Sequence, residues 1–131
     1  MANLTRSYDS EVQNIGTGGG YVTLSSTTFT YSSVVDMNGK MGAAVTVEVN
    51  FDATPTDDVD VYVFPCRDSI PTYPDTTGKF LTRLSRATDP NQMTVNIPLE
   101  SRYWRLGVRQ TGSTDSHDVR AYVTTYTLVT S

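Results

Sequence analysis

The sequence predicts an all-β protein, a single-domain β-sandwich or jelly roll of about eight strands, and three observations lead there. Apolar residues recur with period two along most of the chain, the spacing that sends every second side chain to one face of a strand. Composition agrees: 21 Thr, 15 Val and 12 Ser stand against 2 Lys and 3 Glu, so β-branched residues are abundant and good helix formers scarce. No window carries a sustained 3.6-residue stripe, so no helix longer than two turns is expected. At 131 residues the chain has the size of one domain.

Residues 1–20 hold few apolar side chains and close on Gly16-Thr17-Gly18-Gly19-Gly20. Such a segment buries too little surface to offset the entropy of ordering it, and it reads as a flexible N-terminal arm ahead of a sandwich domain at 21–131. The glycine run lacks the Gly-Lys-Ser/Thr and the strand-turn-helix setting of a phosphate loop. The arm is expected to gain order along a partner subunit.

A short strand is expected at Tyr21–Leu24 and a second at Phe29–Val35. Val45, Val47, Val49 and Phe51 alternate with Thr46, Glu48 and Asn50; Val59, Val61 and Val63 alternate with Asp60 and Tyr62. Further strands follow at Phe80–Ser85, Met93–Ile97, Tyr103–Arg109 and Val119–Val129. Between 35 and 45, parity favours a type I turn running from Asp36 to Gly39 with a glycine bulge, which sets Phe29 and Tyr31 opposite Val47 and Val45 in a hairpin. The stretch Gln110–Asp118 reads as the exposed tip of a second hairpin joining the last two strands. In that hairpin Trp104, Leu106, Val108, Val119, Ala121 and Val123 form the core face. Tyr103, Arg105, Arg109, Arg120, Tyr122 and Tyr126 then gather on the outside, a cluster of the two residue types most enriched at protein interfaces.

Chemistry is sparse. The one histidine, His117, lies in the expected loop tip, where no walls exclude water, and reads as a solvated side chain with no catalytic role. Cys66 is the only cysteine, so no intrachain disulfide can form, and it reads as a semi-buried thiol. One His and one Cys cannot supply a zinc site. Acidic loops at Asp57, Asp58, Asp60 and at Asp115, Asp118 offer oxygen ligands for calcium, yet neither has EF-hand spacing or its closing Glu, so no metal is expected. Eleven Asp and three Glu fall mostly in turns, which argues against a glycosidase pair. Neither catalysis nor a cofactor is therefore expected.

The net charge of -4 and pI near 4.7 disfavour nucleic acid as a partner, because that affinity comes from surplus Lys and Arg. No run approaches 18 apolar residues and the opening has no signal-peptide pattern, so the expectation is a protein made in a cytoplasm with no membrane partner. Pro65 to Thr77, with Pro65, Pro71 and Pro74 interleaved with Asp68, Tyr73 and Asp75, reads as a binding loop or a packing loop over one end of the sandwich.

Val59-Asp60-Val61-Tyr62-Val63-Phe64, then Tyr103-Trp104-Arg105-Leu106-Gly107-Val108-Arg109, a Thr-Gly loop and a Val/Tyr/Thr-rich final strand together give the chain from about Val45 onward a family likeness. It resembles the small all-β accessory proteins of tailed-bacteriophage virions, the capsid decoration or cement proteins. The resemblance implies a non-catalytic virion component made in a host cytoplasm, a homo-oligomer such as a trimer, and attachment to the major capsid protein or another virion protein. A rival expectation is a carbohydrate- or receptor-binding module, for which Tyr62, Tyr73, Tyr103, Tyr122 and Tyr126 supply aromatic rings.

Overall fold

The computed structural model describes residues 3–70, 77–99 and 101–130, and every helical or extended element among them is a strand. The strands are β1 (Leu4–Tyr8), β2 (Val12–Ile15), β3 (Val22–Thr23), β4 (Thr30–Tyr31), β5 (Val35–Asp36), β6 (Gly42–Asn50), β7 (Val59–Cys66), β8 (Lys79–Leu84), β9 (Asn91–Pro98), β10 (Tyr103–Gln110) and β11 (Asp118–Thr130). They make two antiparallel sheets. Sheet I runs β1-β11-β6-β9, with β2 and β3 also on β11; sheet II runs β4-β10-β7-β8, with β5 also on β10.

The short strands are fragments of longer tracks. β1 pairs Tyr8 with Tyr126, β2 pairs Ile15 with Ala121, and β3 pairs Val22 with Val119, so residues 4–23 follow β11 along its whole length with two interruptions. β4 and β5 follow β10 in the same way, Tyr31 opposite Gly107 and Asp36 opposite Tyr103. Counted as tracks, each sheet has four strands and the molecule eight. The first track pairs with the eighth, the second with the seventh, β6 with β9 and β7 with β8, and these nested pairs alternate between sheets. That is the connectivity of a jelly roll.

The core lies between the sheets and follows the alternation. Val45, Val47 and Val49 from β6 and Val119, Ala121 and Val123 from β11 meet Val59, Val61 and Val63 from β7 and Trp104, Leu106 and Val108 from β10. Burying each of the larger side chains contributes about 1.5–3 kcal/mol, and Trp104, with no exposed surface, is the largest.

Three expectations are corrected. β10 and β11 carry the expected inward residues, yet they lie in opposite sheets, so Gln110–Asp118 is a crossover between layers. Parity states which side of a strand is buried and is silent on which neighbour it meets. The segment Phe29–Val35 likewise pairs with β10, in place of the hairpin with β6. The intervening turn closes one residue later than expected, the Lys40 N–H donating to the Met37 carbonyl, with Gly39 at φ +74°. Met37 is buried, which pulls the chain across the core into the other sheet.

The expected free arm is the third correction. Residues 4–8 and 12–15 are strands of sheet I, and Ile15 belongs to the core. The glycine run is a compact loop in which Gly16, Gly18 and Gly19 take positive φ. The Gln13 carboxamide holds it, Nε2 donating to the Ile15 and Gly20 carbonyls and Oε1 accepting from Gly19 N–H. Low apolar content misled because an edge track needs few buried side chains when its backbone is paired with a long neighbour.

Candidate functional site

The outer face of sheet II is built by the even residues of β7 and the odd residues of β10. Tyr62 and Phe64 on β7 face outward across from Gly107 and Arg105, while Tyr31 on β4, Phe29 just before it and Phe80 on β8 flank them. The rings form one patch: Phe29 lies 5.1 Å from Tyr62 and 5.0 Å from Phe64, Tyr31 lies 5.3 Å from Phe64, and Tyr62 lies 5.5 Å from Phe80, all near edge-to-face. Edge-to-face is the arrangement that aromatic quadrupoles favour. Gly107 makes the patch flat, since a Cβ there would fall 2.5 Å from the Phe64 ring and 3.1 Å from Phe29.

Two guanidinium groups lie over these rings. Arg105 sits 3.7 Å above Tyr31, and Arg109 sits 4.4 Å from Phe29 and 5.2 Å from Tyr62. Among the described residues neither arginine has a carboxylate partner, and Arg105 Nε is buried without an acceptor. Asp60, which pairs across the strands with Arg109, is occupied by Arg83 through Nε at 2.6 Å and Nη2 at 3.0 Å. Phe64 is covered by its neighbours, whereas Tyr31 is 42% exposed and Phe80 51%.

The outer face of sheet I differs. Arg120 donates from Nε to Glu48 at 2.5 Å and from Nη1 to the Gly19 carbonyl at 2.6 Å, and it stacks 4.5 Å from Tyr21 and 5.7 Å from Tyr122. The Glu48 hydrogen bond holds this guanidinium above its ordinary pKa. Tyr21, Glu48, Asn50, Asn91, Gln92 and Arg120, with Pro90, line an open cleft of about 370 Å³. Tyr126 lies over Gly42 to reach Asn96 at 3.2 Å and is covered by Tyr8 and Arg6. The six interface candidates therefore do not form one cluster. Tyr103, Arg105 and Arg109 lie on sheet II, and Arg120, Tyr122 and Tyr126 on sheet I, because the strands that carry them belong to different layers.

One end of the sandwich overturns the reading of His117. The imidazole is fully buried, edge-on to Phe51 at 4.7 Å. Its Nδ1 accepts the Asp52 N–H at 3.0 Å, so the proton sits on Nε2, 2.8 Å from the Asp57 carbonyl and 3.1 Å from Asp115. Asp115 accepts the N–H groups of Thr56 and Asp57, and Asp57 in return accepts those of Thr114 and Asp115. Burial alone would raise the Asp115 pKa, but the backbone donors of Asp57 and Thr56, helped by His117, outweigh it and hold the carboxyl below its usual range. Gln110 completes the clasp, donating to the Asp115 carbonyl and accepting from His117 N–H. These carboxylates are spent on backbone, a structural use. Among the described residues no group of three His, Cys, Asp or Glu side chains is placed to hold a metal.

Phe29, Tyr31, Phe64 and Phe80 were absent from the expected surface. The signal lies in the Asp60-Tyr62-Phe64 parity of β7, while parity against β6 alone puts Phe29 and Tyr31 on a core face. Cys66 is buried and pairs across the strands with Tyr103, its Sγ 3.5 Å from the Phe64 carbonyl. Of the proline-rich loop, residues 71–76, Tyr73 among them, lie outside the described residues. No protein-family model matches this chain, and no curated protein matches it.

Proposed function

We propose that this chain is a non-catalytic structural protein that decorates a capsid shell, docking on the major capsid protein through the outer face of sheet II. The observation that carries the reading is the aromatic patch with its two guanidinium groups, which have no carboxylate partner among the described residues. Exposed aromatic and arginine side chains on a flat face are the anchors from which protein interfaces are made. In a chain of net charge -4, this face is the one that favours a carboxylate-bearing partner over the chain's own acids. The capsid setting follows from the family resemblance of the strands around Tyr62 and Trp104, as does assembly into a homo-oligomer such as a trimer.

The test is cosedimentation of the purified protein with tailed-phage shells, alongside its solution mass. Binding is expected to fall at least about tenfold, roughly 1.4 kcal/mol, in Tyr31→Ser and Phe80→Ser, with little change in stability because both rings are half exposed. Shell binding that survives both substitutions would remove sheet II from the mechanism. A monomer with no affinity for any shell would remove the proposal itself. Carbohydrate or receptor binding, the second reading, rests on the cleft beside Tyr21 on the opposite sheet.

A further inference from the structure

Tyr21 stands where the glycine loop rejoins sheet I, 37% exposed, with Arg120 stacked against it. We propose that the cleft it shares with Glu48, Asn50, Asn91, Gln92 and Arg120 binds a neutral saccharide. The charges in the cleft are already paired. Arg120 is committed to Glu48 and to the Gly19 carbonyl, so an anion would find no unpaired cation and would face Glu48, while a cation would face Arg120. A neutral ligand is what this balance admits.

The remaining polar groups fit hydroxyls. Asn50, Asn91 and Gln92 bring carboxamides, each a donor and an acceptor in one plane, and a pair of neighbouring sugar hydroxyls needs both at that spacing. Asn91 Nδ2 is engaged by the Ser85 carbonyl, which fixes that amide. The Tyr21 ring offers an apolar surface with a polar tip, suited to the C–H face of a pyranose. The volume, about 370 Å³, lies in the range of small-ligand clefts.

A second observation extends the site. Tyr21 also walls a neighbouring cleft of about 560 Å³ lined by Asn14, Thr17, Gly20, Val22 and Ser33. Asn14 is the extra residue of the β-bulge at the Ala121/Tyr122 register shift, and both its Oδ1 and its Nδ2 are buried without a hydrogen-bond partner. A bulge re-aims a side chain, and an amide left with both atoms unpaired is costly unless something fills it. The ligand is therefore an oligosaccharide reaching from Gln92 past Tyr21 toward Asn14. Since sheet I and sheet II face opposite ways, the cleft stays open while sheet II is docked.

The experiment presents the full-length protein to an array of neutral, sialylated and sulfated oligosaccharides, then titrates the strongest neutral binder by calorimetry. Neutral glycans are expected to bind. Tyr21→Ala and Gln92→Ala should each weaken affinity at least about tenfold, and Asn14→Ala should weaken a trisaccharide more than a monosaccharide. Tyr31→Ser, on the other sheet, should leave saccharide binding unchanged whether or not it abolishes shell binding, so the two proposals fail separately. Circular dichroism of Gln92→Ala, an exposed residue, guards against loss of fold. Absence of any neutral binder, preference for sialylated or sulfated glycans, or unchanged affinity in both Tyr21→Ala and Gln92→Ala would overturn the inference.

Discussion

The outer faces of the two sheets share one architecture and differ in almost everything they present. Sheet II carries contiguous rings with two guanidinium groups laid on them that, among the described residues, have no carboxylate partner, since Asp60 on that face is held by Arg83. Sheet I carries a closed ion pair, a hydroxyl contact between Thr46 and Thr94 at 3.0 Å, and an open cleft. Both lay an aromatic ring over a glycine: Phe64 over Gly107 on sheet II and Tyr126 over Gly42 on sheet I. The consequences diverge because Phe64 is hemmed in by three rings, Phe29, Tyr31 and Tyr62, whereas Tyr126 meets one ring, Tyr8, and the Arg6 guanidinium among the described residues. The inward face of a sandwich is constrained by packing, and the outward face is left for function to write on.

The comparison holds only if both sheets rest on one core. Trp104→Ala should cost about 3–5 kcal/mol and unfold both sheets in a single transition, measured by chemical denaturation with two optical probes. Loss of sheet II alone would mean that the faces belong to separate units.

Truncation separates the parts of the sheet I edge. Deleting residues 1–9 removes β1, all of whose side chains are exposed, and should cost under about 1 kcal/mol. Deleting residues 1–20 also removes Ile15 from the core and uncovers the middle of β11, and should cost about 2–4 kcal/mol. Equal losses would show that β1, and not Ile15, holds the edge.

The two glycines give a finer contrast. Gly107→Ala should destabilise by about 1–3 kcal/mol, since the Phe64 ring has nowhere to go. Gly42→Ala should cost less, about 1 kcal/mol, because the close contact falls on the tip of the Tyr126 ring and alanine gains back some strand propensity, although the Ile97 carbonyl at 3.0 Å must also give.

The smallest effect lies at the end of the sandwich, outside both faces. Asp115 has a folded pKa below its unfolded value near about 3.9, so its stabilisation is complete above that value and is lost as pH falls through the folded one. As pH falls below the ordinary carboxylate range, hydrogen exchange should show the Thr56 and Asp57 amides losing protection before the strand amides of either sheet. Asp9 is also held low, by Lys40 and Thr125, but it is exposed and its contribution is screened.

The sequence by itself determined the long strands of the body and which side of β6, β7, β10 and β11 is buried, while it left β1 and β2 as an arm and put Phe29 and Tyr31 on the core face. Trp104, Leu106, Val108, Val119, Ala121 and Val123 are core as parity demands, because alternation is a local property written within five or six residues. Partnership is not local. β10 and β11 are neighbours in the chain and lie in different sheets, so six side chains expected together are divided between opposite faces. His117 shows the same limit: its loop is polar in sequence, yet the ring is buried against Phe51 and held by the Asp52 N–H and the Asp57 carbonyl, 65 and 60 residues away. The aromatic face of sheet II required β4 to pair with β10, 70-odd residues away, and only the tertiary structure could make that choice, since every edge offers the same backbone hydrogen bonds and the decision rests on how the whole core packs.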